Sequence, residues 1–229
     1  MAPDSLADRL DSVRAEVASA ARDADRSTDD ILTIVITKFH PASLVRDLAE
    51  LGVRDVGENR NQDAAPKAAE LASLDLAWHF VGQLQSNKVK AVLAYASDIQ
   101  SVDRISLVEA IEAADKPTGS PVDAFIQLNL TTDPARGGVT PDDLEALVER
   151  TLAAPSIRLR GLMAVAPLGE EPRAAFARVR QASERVRTLA PGASALSMGM
   201  SADYREAILE GATHLRIGTA ITGKRPPAS

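Results

Sequence analysis

"ILTIVITKFHP", residues 31–41, decides the fold. Its first seven residues are all apolar or β-branched, with no polar alternation. Such a run reads as a strand buried on both faces, the pattern of a parallel sheet covered by helices. The run ends at Lys38, one of six lysines, and Pro41 breaks the chain. Side chains alternate along a strand, so Ile34, Ile36 and Lys38 share one face.

Working outward, residues 4–25 place Leu6, Leu10, Val13, Val17 and Ala21 at helical spacing between charges. Beyond residue 37, apolar strands and periodic helices alternate. Strands are expected at 31–37, 53–56, 77–81, 98–102, 122–129, 158–164, 194–198 and 213–217. Helices are expected near 42–51, 60–72, 86–95, 104–114, 141–153, 172–189 and 203–210. Thr140-Pro141-Asp142-Asp143 offers an N-cap hydroxyl, a proline at N1 and first-turn acids. Leu144, Leu147, Val148 and Leu152 follow as one stripe; Phe176, Val179, Ser183, Val186 and Leu189 form another. Eight strands with intervening helices predict an α/β fold, a (β/α)8 TIM-type barrel with an extra N-terminal helix. An open doubly wound sheet is the alternative. No G-x-G-x-x-G follows the first strand, which counts against a dinucleotide site. One domain over 1–229 is expected, with residues 1–28 packed on the barrel.

Composition narrows the function. Net charge is −6, from 26 basic and 32 acidic side chains. That argues against a nucleic-acid or anionic-membrane surface, so any anion site must be local. Cysteine is absent, which removes disulfides and thiolate chemistry. The first 30 residues carry eight acids and no apolar leader-like core. No apolar run approaches the roughly 18 residues of a spanning helix. A cytoplasmic location is the expectation, and a monomer, since no exposed apolar stripe stands out.

Lys38 has two readings from position alone. It either ends a strand in solvent or presents its amine at the carboxyl end of a barrel strand, where barrel enzymes place their chemistry. A desolvated lysine keeps a larger neutral fraction, and a neutral amine can form a Schiff base with an aldehyde. "SMGMS", residues 197–201, leads into Ala202-Asp203-Tyr204 and a helix. Gly199 permits close backbone approach, and Ser201 can cap the helix or meet a phosphate. "RIGTAITGKR", residues 216–225, puts Gly218 and Thr219 after the last strand. These two segments occupy the loops after strands seven and eight, the common phosphate site of barrels. Arg216 either faces the barrel mouth or pairs outward. "GENRNQ", residues 57–62, offers Glu58 and Asn59 at a strand end. His79, in "WHFVGQLQSNK", is either a hydrogen-bonded core histidine or a catalyst. The three histidines show no metal-ligand spacing.

Together, VITKFHPAS, VGENR, WHFVGQLQSNK, LRGLMAV, SMGMSADYREAI and RIGTAITG resemble the pyridoxal-phosphate homeostasis (YggS/PROSC) family, in one consistent order along the chain. The resemblance implies an alanine-racemase-like barrel standing alone. It implies pyridoxal 5'-phosphate held as an aldimine on Lys38. Ser201, Gly218 and Thr219 would hold the phosphate, with the amides of Met200 and Ser201. Arg216 would face the pyridine nitrogen, and Asn59 and His79 would lie near the ring or its lysine. Phe39-His40 and Arg60 depart from the family pattern, as does the short tail KRPPAS.

The implied role is non-catalytic: holding the cofactor and delivering it to apo-enzymes. A pyridoxal-phosphate-dependent amino-acid racemase is the enzyme alternative. It needs an acid/base on each face of the cofactor, and the chain runs only about a dozen residues past the last strand, too few for the second β-domain of such enzymes. A non-enzymatic phosphate-ligand module would leave Lys38 idle.

Overall fold

The computed structural model describes residues 5–114, 119–133 and 136–224. The outermost parts of the expected 1–229 domain, including residues 225–229 of the KRPPAS tail, lie outside them.

Eight parallel strands pair in chain order. They are β1 (Leu32–Ile36), β2 (Asp55–Glu58), β3 (Ala77–Phe80), β4 (Ala96–Val102), β5 (Val122–Gln127), β6 (Ile157–Met163), β7 (Ala195–Ser197) and β8 (His214–Ile217). β8 returns to β1 with Leu32 opposite His214 and Ile34 opposite Arg216, so the sheet closes. Closure leaves no free sheet edge and rules out the open doubly wound alternative.

The run ILTIVIT is apolar on both faces because both faces are buried. Val35 joins Val56, Ile99, Leu162 and Leu215 in the core between barrel and helices. Ile34 and Ile36 point the other way, against Gly57. A Cβ on Gly57 would stand 2.5 Å from Ile36 Cδ1 and 3.1 Å from Ile34 Cγ2.

The helices are α1 (Leu6–Asp23), α2 (Ala42–Glu50), α3 (Asn61–Glu70), α4 (Val89–Leu93), α5 (Ile105–Glu112), α6 (Leu144–Leu152), α7 (Pro172–Leu189), α8 (Tyr204–Leu209) and α9 (Thr219–Thr222). A capping box between Ser5 and Asp8 starts α1, whose buried Leu10, Val13, Val17 and Ala21 make its inner face. It packs against α8 and α9. Arg9 Nε donates to the Ile221 carbonyl at 2.7 Å, and Arg26 Nη1 to the Ala212 carbonyl at 2.7 Å.

Several boundaries differ from expectation. β2 lies two residues later than 53–56, because pairing of Gly57 with Ile36 sets it rather than apolar content. α6 starts at Leu144, not at Pro141. Thr140 Oγ1 accepts from the Asp143 N–H at 3.3 Å and donates to Asp143 Oδ2 at 2.7 Å, which holds a turn there. Leu152 and Leu189 are exposed, so both stripes end early. α9 is a single turn, too short to show a period. Among the described residues no helix is long and apolar enough to cross a membrane, and no cluster is suited to a metal.

Candidate functional site

The carboxyl ends of β1, β2, β7 and β8 bring most of the expected site residues to one mouth of the barrel. Lys38 lies two residues beyond β1, on a turn, and is exposed. Desolvation, which the barrel-mouth reading invoked, is not what surrounds it here. Its Nζ stands 5.9 Å from the centre of the Phe39 ring. The Arg60 guanidinium carbon stands 5.7 Å from the same centre, both within the reach of a cation–π contact. Positions 39 and 60 therefore meet in space: the aromatic comes from the β1 loop and the cation from the β2 loop. Phe39 adopts a left-handed backbone, φ 69°, a conformation that costs a bulky residue about 1–2 kcal/mol. Strain of this kind collects at functional sites.

Thr37 and Glu58 anchor the base of this turn. Thr37 is fully buried, and its N–H donates to the Gly57 carbonyl at 3.0 Å. Lys67 Nζ, from α3, reaches Glu58 Oε1 at 2.6 Å and the Thr37 carbonyl at 3.1 Å. Lys67 falls on an otherwise ordinary amphipathic helix, so the sequence carried no signal of this duty. His40 stands beyond, its pKa lowered by burial and by the Lys67 charge. Asn59 follows β2, and its Oδ1 is buried without a hydrogen-bond partner among the described residues. A polar cavity of about 340 Å³ opens beside it, lined by Asn59, Arg60, Gln62, Phe80, Gln83 and Lys88 among others.

The loops after β7 and β8 are joined. Ser201 Oγ accepts from the Ala220 N–H at 3.3 Å. Gly218 sits against β1: a Cβ there would be 3.5 Å from Ile36 Cβ. Thr219 is exposed at the rim. The Met200 N–H, expected to face a phosphate, donates instead to Asp203 Oδ1 at 2.6 Å. Asp203 thus caps this turn through Met200, and burial raises its carboxyl pKa. Gly199, φ 92°, serves packing rather than ligand approach. A Cβ there would lie 2.6 Å from Ala207 Cβ and 3.0 Å from Tyr204 Cα, where α8 crosses the strand.

Arg216 points into the barrel and is 5% exposed, which disposes of the outward ion pair. Nη1 donates to Ser197 Oγ at 2.7 Å and Nη2 to the Ala164 carbonyl at 2.9 Å. Among the described residues it forms no direct ion pair. Burial pushes its pKa down to about 10, so it remains charged near neutrality.

His79 stands apart from this mouth group in its contacts. Nε2 lies 2.9 Å from Asp55 Oδ1 and Nδ1 2.5 Å from Asp98 Oδ2. Asp55 is the first residue of β2, at the amino end of the barrel. Both ring nitrogens are engaged, as in a hydrogen-bonded core histidine, where the resemblance had brought His79 near the ring or lysine. Burial opposes its charge, but the two carboxylates outweigh burial and push the pKa up to about 9. Asp55 and Asp98 escaped notice in the sequence because only strand register aligns them with position 79.

The family model for the alanine racemase N-terminal domain matches residues 10–226. A pyridoxal phosphate homeostasis protein of Pseudomonas aeruginosa is 40% identical over 224 residues, 96% of each chain. One of Mycobacterium leprae is 38% identical, covering 93% of this chain and 90% of that one. Among solved structures, PipY of Synechococcus elongatus, with pyridoxal phosphate bound, superposes with a TM-score of 0.84. It is 35% identical and covers 96% of this chain and 100% of its own. The alanine racemase of Corynebacterium glutamicum, TM-score 0.68 and 16% identical, shares the fold.

Proposed function

The chain belongs to the pyridoxal phosphate homeostasis protein family, and from that premise we propose that it holds pyridoxal 5'-phosphate covalently on Lys38 for cofactor storage and delivery within the cell. One observation supports this above others: Lys38, the joined Ser201–Ala220 loops and the inward Arg216 all belong to the same end of one barrel. The donor set suits the cofactor. Among the described residues, Arg216 is a buried cation bonded only to neutral oxygens. Asn59 adds a buried acceptor without a partner among the described residues, and Ser201 and Thr219 add hydroxyls.

When bound, the cofactor supplies an aldehyde and an electron-withdrawing pyridine ring. Lys38 would be the residue that holds that aldehyde, through its amine. Ser201, Thr219 and the backbone around Gly218 would hold the phosphate, and the Met200 N–H would join them only by releasing Asp203. Arg216 would face the pyridine nitrogen as a donor that cannot accept a proton from it. A ring so held would stay unprotonated and be a weaker electron sink, an arrangement that racemases of this fold share. The occupant is a monomeric protein's single cofactor, passed on to apo-enzymes. His79 contributes as a buried charge in the barrel rather than as a contact.

Borohydride reduction of the loaded protein, followed by peptide mapping, tests the reading. The label is expected on Lys38, and Lys38→Ala should lose the visible absorption band. A label on another lysine would reassign the site. A label on none would favour a phosphate-ligand module with an idle Lys38.

A further inference from the structure

We infer that Ser197 and Gln100 form an uncharged relay that positions Arg216 against the bound cofactor. The inference rests on the cofactor reading above and names two residues that act through a third.

Hydrogen-bond direction is fixed along the whole chain of contacts. A guanidinium only donates, so Ser197 Oγ must accept from Arg216 Nη1, at 2.7 Å. The Ser197 hydroxyl proton then needs its own acceptor, and Gln100 Oε1 lies 2.7 Å away. The Ala164 carbonyl holds Nη2 at 2.9 Å. The Arg216 N–H donates to the Gly199 carbonyl at 3.0 Å. Arg216 on β8 is thus tied to β4 and β7 through side chains and to the end of β6 through its backbone. One guanidinium has been given one orientation.

The cost of this arrangement argues for a purpose. Barrel interiors are ordinarily filled with branched apolar side chains. Ser197 and Gln100 are both 0% exposed, and burying polar groups is unfavourable unless they are bonded. Gln100 Nε2 has no partner among the described residues, so the pair is not optimised for stability. The polarity of the relay also matters. A carboxylate at position 100 or 197 would serve as an acceptor equally well. In a low-dielectric interior it would compensate the guanidinium charge. Neutral acceptors orient Arg216 and add no counter-charge beyond that of Asp203, which already acts on the guanidinium through space.

The test is a double-mutant cycle read from the loaded protein. Ser197→Ala, Gln100→Leu and Arg216→Gln are compared singly and in pairs. The readouts are cofactor dissociation and the pH profile of the bound cofactor's absorption band. Ser197→Ala and Gln100→Leu should each speed loss of cofactor about tenfold, the scale of one hydrogen bond to a charged group. Each should shift the band profile in the same direction as Arg216→Gln and add little in its presence. Ser197→Thr, which keeps the hydroxyl, should restore the wild-type profile. Gln100→Glu, nearly isosteric, should shift the profile because it adds charge. It also decides the matter if the apolar variants fail to fold. Wild-type binding and Lys38 labelling, with fully additive effects or an unmoved profile in Gln100→Glu, would overturn the relay alone. Absence of a reducible band in the wild type would overturn both the relay and the cofactor reading.

Discussion

Thr37 donates its hydroxyl to Glu58 Oε1 at 2.7 Å, tying the residue before Lys38 to the residue before Asn59. The same oxygen receives Lys67 Nζ at 2.6 Å. Three elements therefore meet at one buried carboxylate, and the turn that carries Lys38 leaves the barrel from a fixed point.

Glu58→Gln should loosen that point. Lys67 is 11% exposed and Glu58 1%, so the substitution leaves a nearly buried ammonium without its counter-charge. Breaking one side of such a pair costs roughly 3–5 kcal/mol. Urea denaturation should register a loss of that order, and cofactor retention should fall with it. Glu58→Gln/Lys67→Met should recover much of the stability, because the unpaired charge is then gone. Equal stability of wild type and Glu58→Gln would show that the pair does not anchor the turn.

The phosphate cup makes a second expectation. Ser201→Ala and Thr219→Ala should each weaken retention by about 1–2 kcal/mol, as for a hydrogen bond to a charged group. Their stability effects should differ. Ser201 bridges to Ala220, whereas Thr219 is exposed at the rim, so only Ser201→Ala should lower the melting temperature. Pyridoxal lacking the phosphate should bind poorly to the wild type. Equal affinity for both forms would remove the phosphate role from these loops.

The fold was legible because its signals are redundant. Continuous β-branched runs, punctuated by amphipathic stripes, repeat around the barrel, and closure needs only their count and order. The common placement of Lys38, Ser201 and Arg216 was legible because each lies in a motif on or just after a barrel strand. It was illegible where a role depends on register across strands. Gln100 reads as one polar residue in ASDIQSV; only closure brings it opposite Ser197. Lys67 reads as a solvated helix charge until α3 packs on β2. Met200 and Asp203 show the converse. The resemblance implies a Met200 amide open to a phosphate, and the structure bonds it to Asp203.

Two histidines, His79 buried and His214 half-buried, predict opposing pH dependences. The folded pKa of His79 is about 9 against an ordinary 6.5. Its stabilisation is fully present below about pH 6.5 and is lost as pH rises through about 9. His214 is pushed down to about 4, chiefly by burial. Its unfolded form takes a proton below about pH 6.5 that the folded form refuses until about 4, so stability falls on acidification. Each shift corresponds to about 3 kcal/mol. Denaturation curves from pH 4.5 to 9.5 should therefore peak near pH 6.5. His214→Phe, which keeps a ring against Phe125, should flatten the acid limb and leave the alkaline limb. An unchanged acid limb in that variant would assign it to carboxylates instead.

Holding and racemisation make different demands on the same barrel, and one incubation separates them. Two-base racemisation needs a proton donor on the face opposite Lys38. With Lys38 as the single base, a Cα proton can leave and return on one face only. Slow exchange of that proton into deuterated solvent with retained configuration is compatible with holding. The loaded protein is incubated with L-alanine and other L-amino acids, and chirality is followed by chromatography. Interconversion at about 1 s⁻¹ or faster, the low end of ordinary enzymes, would establish a racemase. Retained chirality, with cofactor passing to an added apo-enzyme faster than into buffer, would establish direct delivery. Equal rates to both would make the protein a passive reservoir, because the apo-enzyme would then be drawing only on cofactor already free.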